Sequence, residues 1–159
     1  KNIFLICGDG QRLPFKNNSF HGYWNVQTLQ HIPELTKAIK EAHRVLKDEG
    51  LFYHYQFNYN HMLHRVLKLI GRKYDLGQKF NNSGFIINRH NNKVKMLISN
   101  VFNTKISTSY SEIFFFRFLF LSLFGNKESN IGKKDAKISG KGFFKSLLAR
   151  QVSFSCNKK

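Results

Sequence analysis

The sequence is poor in the residues that several simple readings would need. It has two prolines in 159 residues, so its polar stretches are not a proline-rich linker. Its two cysteines, Cys7 and Cys156, lie far apart in apolar, strand-like segments. They form neither a disulfide framework nor a metal-spaced cluster, and two buried thiols in a reducing, cytoplasmic setting are expected. The longest apolar run, Ile113 to Phe124, is interrupted by Arg117 and falls short of the roughly 20 residues needed to cross a bilayer. No internal repeat, serine nucleophile elbow or P-loop pattern occurs. The first residue is Lys1, and Ile3 to Cys7 lacks the length and flanks of a signal peptide, so the sequence is expected to begin inside a longer protein. Acidic residues are scarce as well: nine Asp and Glu stand against 26 Lys and Arg, a net charge of +17. That excess favours phosphates or anionic lipid surfaces, which makes nucleic acid or a membrane surface a partner class without defining a function. The lysines are scattered among Asn, Ile and Phe and form no basic stripe with interleaved aromatics, as a purely compositional bias would also produce.

Large apolar side chains are abundant. A 42% hydrophobic content with 17 Phe is enough for one domain with a real core. Asn2 to Cys7 is a continuous apolar run closed by Gly8-Asp9-Gly10, the pattern of a strand buried on both faces and followed by a turn. Phe20 to Val26 is a second strand candidate, separated from the first by a loop around Pro14. From Pro33 onward Leu35, Ala38, Ile39, Ala42, Val45 and Leu46 recur at helical spacing, with Lys37, Lys40, Glu41 and Arg44 on the other face. Lys47 to Gly50 stops this helix, and Leu51 to Phe57 reads as a strand. Strand, helix, strand in this order implies parallel strands joined by a right-handed crossover. A second helix is expected over Leu63, Val66, Leu67 and Ile70, capped by Asn60 and ended by Gly71. A third is expected over Val94, Leu97, Ile98 and Val101, followed by a strand from Thr104 to Tyr110 and an antiparallel strand from Arg150 to Cys156. Gln78 to Arg89 and Lys127 to Lys141 read as loops.

The stretch from Gly8 to Gly50 carries a run of motifs in fixed order. They are Gly8-Asp9-Gly10, Leu13-Pro14-Phe15, Asn18-Ser19-Phe20, Leu29-Gln30-His31-Ile32 and Arg44-Val45-Leu46-Lys47, with Gly50 and Leu51 after them. In this order and spacing the sequence resembles the class I S-adenosylmethionine-dependent methyltransferases. The resemblance is specific over the first third of the chain and architectural beyond it. It implies an α/β fold: a Rossmann-like, mostly parallel sheet with helices on both faces, lacking the first two strands. Asn2 to Cys7 is then the third strand, and Arg150 to Cys156 the inserted antiparallel last strand. Residues 1–159 are expected to be the C-terminal portion of a single methyltransferase domain, with an insertion at about 111–149. In that insertion Ile113 to Phe124 is expected to form an apolar helix packed over the site mouth or onto a partner, with a membrane-surface role as its rival.

The implied activity is methyl transfer from S-adenosylmethionine to a small-molecule or RNA acceptor. The alternatives are a basic nucleic-acid-binding module and an inactive remnant of the family. By the resemblance Asp9 accepts the adenine amine, main-chain groups of Gly10 and Gln11 reach the base edge, and Asn25 and Val26 meet the cofactor's methionine end. His31 is a weak catalytic candidate at the site mouth, against which stands a structural histidine at a loop-to-helix junction. Three departures from the family's pattern matter. His21 replaces the usual Asp after Phe20, which removes a carboxylate near the site. Asp48-Glu49-Gly50 replaces Pro-Gly-Gly, so a non-glycine residue is expected to take the left-handed conformation. The glycine-rich loop that cradles the methionine part is missing from the sequence. His61-x-x-His64 would share one helix face, but no Cys, Asp or Glu completes a metal set, and no metal is expected.

Overall fold

The computed structural model describes residues 3–71, 90–113 and 137–159, without the side chains of residues 63, 64, 67 and 68. Four strands form one sheet in the order β1-β2-β4-β3, with β1 Phe20–Val26, β2 Leu46–Phe57, β3 Ser107–Ile113 and β4 Ala149–Asn157. Helix α1 (Leu35–Val45) joins β1 to β2, and these two strands pair in parallel, with Asn25 opposite His54 and Val26 opposite Tyr55. This is the crossover unit expected from the sequence. β4 inserts between β2 and β3 and is antiparallel to both. One antiparallel strand inside the sheet sets the direction of two pairings at once, so the described sheet is more mixed than a mostly parallel one.

α1 forms because its apolar residues fall on one stripe, and Leu35, Ala38, Ile39, Ala42 and Val45 are all buried. It starts at Leu35, later than Pro33. No side chain caps it; instead the Gln11 amide oxygen accepts the Glu34 backbone N–H at 3.1 Å. α3 (Asn91–Phe102) buries Val94, Ile98 and Phe102 and ends at Asn103 in the left-handed conformation, φ 48°. α1 and α3 share one core with Phe52, Val152, Phe154 and Cys156. By the two-residue alternation of a strand, the opposite face carries Trp24, Val26 and Leu51, which are exposed. Among the described residues the two helices that build this core therefore lie on one face of the sheet. Two shorter helices, α2 (Met62–Leu69) and α4 (Phe143–Leu148), follow β2 and precede β4.

β2 begins at Leu46, five residues earlier than expected, because the chain leaves α1 directly in an extended conformation. The bend that the sequence places at 47–50 survives as an irregularity inside the strand. Pairing passes from Phe20 with Leu46 to Gly22 with Leu51. Glu49 takes φ 62°, the left-handed conformation expected of a non-glycine residue here. Gly50 is needed for a different reason: a Cβ there would lie 2.7 Å from the Lys47 carbonyl oxygen. Lys158 closes this bend. Its backbone exchanges hydrogen bonds with Glu49 N and Gly50 O, and its ammonium donates to Leu46 O and Asn18 Oδ1 at 2.8 and 2.7 Å.

Three expectations need correction. Ile3 to Cys7 is not a strand, and Ile3, Phe4, Leu5 and Ile6 are exposed. A strand requires a neighbour for its backbone groups, and none lies beside this segment among the described residues. Cys7 is exposed for the same reason, and only Cys156 is a buried thiol, pushed up to about 11 by that burial. The strand expected at Thr104 to Tyr110 begins instead at Ser107, because Asn103 turns the chain and Thr104 O accepts the Ser99 hydroxyl. Gln78 to Arg89, the stretch 114–124 and most of Lys127 to Lys141 lie outside the described residues. No described helix is long and apolar enough to cross a membrane.

Candidate functional site

In an open α/β sheet the crevice outside the carboxyl ends of the parallel strands is where ligands bind. Here those ends are Asn25 and Val26 of β1 and the residues that follow Phe57 in β2. β1 is stopped abruptly: Gln27 takes φ 51° while its N–H donates to Tyr55 O at 2.7 Å, and the chain turns into a short 3₁₀ helix, Leu29–His31. This places Gln30 and His31 beside the end of the strand.

The Asp9 turn docks onto the same junction. Asp9 Oδ1 accepts the Gln11 backbone N–H at 2.9 Å and the Gln11 side-chain amide at 3.3 Å. The Gln11 amide oxygen then holds the first turn of α1 through Glu34 N. Gly10 packs so closely on Ile32 that a Cβ would come within 2.8 Å of its Cδ1. Asp9 is exposed and uses its carboxylate first to close its own turn. An ionised carboxylate has room for about four donors, so capacity for a ligand amine remains. Among the described residues no hydrogen bond links this turn directly to Asn25; the two are connected through the 29–34 junction.

The Leu13-Pro14-Phe15 loop is held by a single guanidinium. Arg44 donates to Leu13 O at 3.0 Å, Phe15 O at 2.7 Å and Asn17 Oδ1 at 2.8 Å, and grips both oxygens of Glu41 at 2.8 and 2.7 Å. Glu41 in turn accepts Leu13 N at 2.8 Å. The hydrogen bond from Arg44 holds the Glu41 carboxyl below its usual range. Two of the sequence motifs thus meet as one structural clamp, which fixes the loop between the Asp9 turn and β1.

The sequence reading missed the buried polar chain behind Asn25. His54, completely buried in the middle of β2, lies between the Asn25 side-chain oxygen and Gln56 Oε1, the latter at 2.9 Å. Gln56 donates to Asn91 Oδ1 at 3.1 Å, Asn91 to Asn58 Oδ1 at 2.7 Å, and Asn58 to the carbonyls of Ser146 and Ala149, both at 2.7 Å. Burial pushes the imidazole down to about 4, so it is neutral at ordinary pH. The visible signal was the two-residue alternation Phe52, His54, Gln56 on the inner face of a strand whose other face is Tyr53, Tyr55 and Phe57. Two buried atoms at the strand end have no protein partner: Asn25 Nδ2 and Gln30 Oε1. Burying an amide atom without a partner costs about 1 to 3 kcal/mol.

The remaining sequence candidates fall as follows. Val26 is half exposed on the opposite sheet face, and its carbonyl accepts the Thr28 hydroxyl. His31 is exposed, with its Nε2 3.2 Å from Gln30 Nε2. His21 sits at the start of β1, about 13 Å along the strand from Asn25, and faces Lys47; it is therefore remote from the crevice, contrary to the expectation that its replacement of Asp matters there. The His64 side chain lies outside the described residues. A groove of 660 Å³ lined by Lys95, Lys105, Tyr110 and Lys141 lies at the β3 edge of the sheet, away from β1.

Comparison with known proteins places this geometry. The family described as "Methyltransferase domain" matches residues 1–54, the stretch that holds the Asp9 turn, β1, α1 and most of β2. The ubiquinone/menaquinone biosynthesis C-methyltransferase of Rickettsia prowazekii is 40% identical over 58 residues, covering 36% of this chain and 23% of that protein. The corresponding protein of Brucella canis is 35% identical over 57 residues, covering 36% and 21%. The chain thus spans less than a quarter of the length of these relatives. A Thermotoga maritima structure, described as a possible histamine N-methyltransferase, superposes with a TM-score of 0.67 at 18% identity, over 99% of this chain and 65% of that one. Geranyl diphosphate C-methyltransferase from Streptomyces coelicolor superposes with a TM-score of 0.56 at 11% identity, over 98% and 52%. The fold is that of the S-adenosylmethionine-dependent methyltransferases, a mixed α/β sheet of Rossmann-like type. Residues 1–54 carry its methyltransferase-domain sequence, as the motif order from Gly8 to Gly50 had implied.

Proposed function

We propose that this chain carries the adenine-facing turn and the fourth-strand end of an S-adenosylmethionine-dependent methyltransferase. The observation that carries the reading is the methyltransferase-domain match over residues 1–54, which ends within the strand bearing His54. In this reading Asp9 accepts the adenine amine, while Gly10 and Gln11 present main-chain groups to the base edge. Asn25 and Val26 meet the methionine end. Residues 1–159 are part of one domain, with an insertion at about 111–149. The buried Asn25 Nδ2, which has no protein partner, fits a polar ligand at the carboxyl end of β1. Bound S-adenosylmethionine supplies an electrophilic methyl group on a sulfonium, so the protein's part is to align an acceptor in a water-poor pocket. In this reading His31, at the site mouth, orients an acceptor or takes its proton.

The relatives are named as C-methyltransferases of ubiquinone/menaquinone biosynthesis, whereas the matched stretch holds the elements assigned here to the cofactor. The acceptor is accordingly left as a small molecule or a macromolecule. The test is calorimetric titration of the full-length protein with S-adenosylhomocysteine. Saturable binding of about micromolar strength, roughly −8 kcal/mol, supports the reading, and absence of binding at millimolar ligand overturns it.

A further inference from the structure

We propose that His54 is a positioning residue that turns the Asn25 amide so that its oxygen, an acceptor, takes the buried position without a protein partner at the end of β1 and selects a hydrogen-bond donor on the ligand. The assignment follows from donor and acceptor logic along the buried chain. It rests on the proposed cofactor site for the identity of the ligand, but not for the orientation of the amide.

The chain is anchored at one end by atoms whose roles cannot change. The Ser146 and Ala149 carbonyls only accept, so the Asn58 atom facing them is Nδ2. Asn58 Oδ1 therefore points the other way, where it receives Asn60 N and Asn91 Nδ2. Asn91 Oδ1 receives Tyr59 N and Gln56 Nε2. Gln56 Oε1 is left to face His54 Nε2 at 2.9 Å, so that nitrogen carries the proton. With Asn25 Oδ1 also set against Nδ1, the imidazole would face two acceptors and need both its protons. An imidazolium is disfavoured here: His54 is fully buried, with the Phe154 ring stacked 6.2 Å away and no carboxylate in contact among the described residues. A neutral ring protonated on Nε2 has a bare Nδ1, which accepts.

A half-turn of the Asn25 amide about χ2 resolves the conflict without changing its shape. Nδ2 then donates to His54 Nδ1, and Oδ1 takes the buried position where the amide has no protein partner. The polarity of the site is thereby set about four residues deep in the fold, by backbone carbonyls at the junction of α4 and β4. A ligand group that donates, such as the ammonium of an amino-acid moiety, is favoured at Asn25 over a carboxylate.

The first test needs no ligand and no variant. Long-range ¹H–¹⁵N correlation of the His54 ring in the full-length protein at neutral pH should show the proton on Nε2 alone. A ¹⁵N–¹⁵N coupling across the hydrogen bond should join Asn25 Nδ2 to His54 Nδ1. A proton on Nδ1, or on both nitrogens, overturns the proposal. The second test reads the consequence with S-adenosylhomocysteine as probe. His54→Leu should weaken binding about tenfold, the effect of one misdirected hydrogen bond. His54→Asn, whose oxygen can stand in for Nδ1, should recover most of it. Deaminating the probe should cost the wild type about tenfold and Asn25→Ala nothing further. Equal losses in both proteins, or a folded His54→Leu protein of unchanged affinity, would overturn the link between His54 and ligand. If the wild type binds no S-adenosylhomocysteine, the cofactor reading fails while the ring correlation still decides the orientation of the amide.

Discussion

Acidification should destabilise this fold in a window set by His54. The imidazole is neutral and buried in the native protein, with its pKa held at about 4, whereas in the unfolded chain it titrates near the ordinary histidine value of 6.5. Between those values the unfolded state binds the proton and the native state does not. Stability is therefore complete above the unfolded pKa and is lost as pH falls toward the folded one. A difference of about 2.5 units at 1.36 kcal/mol each gives a loss of about 3 kcal/mol, a large share of the 5 to 15 kcal/mol that a typical domain has. Burial lowers the His43 pKa too, so the comparison must isolate His54. Urea denaturation from pH 7 down to pH 4, for the wild type and for His54→Asn, does so because the variant cannot titrate at that position. The wild-type curve should fall more steeply across the window by about that amount. Parallel curves would refute the reasoning.

Other consequences can be read in the same preparations. Glu49→Gly should raise stability by about 1 kcal/mol, because it relieves a left-handed non-glycine residue and leaves the Lys158 backbone bonds in place; an unchanged urea midpoint would contradict this. Arg44→Ala should release the loop at 13–17, seen as faster amide exchange at Leu13, whose N–H donates to Glu41. Protection equal to wild type would show that the guanidinium clamp does not hold the loop. The Glu41 carboxyl, held low by Arg44, should in wild type contribute stability above its ordinary pKa that is lost as pH falls below it. In Arg44→Ala that acid-side loss should shrink.

Much of this architecture could be read from residue spacing. The apolar stripe of α1, the bounds of β1 and the antiparallel β4 follow from local patterns, because each is decided by neighbours within a few residues or by one buried face, whereas the left-handed residue at Glu49 was expected from its place in the resemblance, where Pro-Gly-Gly is replaced. Ile3 to Cys7 shows the limit of such reading. Its composition is that of a buried strand, yet a strand is a property of a pair, and its side chains stand exposed where no neighbour is described. The start of β3 was misplaced because a side-chain bond from Ser99 extends the turn after α3, an interaction that periodicity does not encode. Asp9, Gly10 and Gln11 were singled out by their motif, and the structure joins them in one turn. His54, Gln56, Asn58 and Asn91 were not, since their connection spans about 90 residues of sequence, from β2 to the junction before β4. Polar residues at alternate positions on the inner face of an aromatic strand were the available clue.

The central claim is that the turn at Asp9 holds the base of the cofactor, and the affinity of three proteins for S-adenosylhomocysteine tests it most directly. Asp9→Asn keeps an oxygen that can accept Gln11 N and preserve the turn, whereas Asp9→Ala removes it. In the full-length protein Asp9→Ala should weaken binding by about 1 to 3 kcal/mol, and Asp9→Asn should cost less. Unchanged affinity in Asp9→Ala would contradict the assignment of the adenine to this turn.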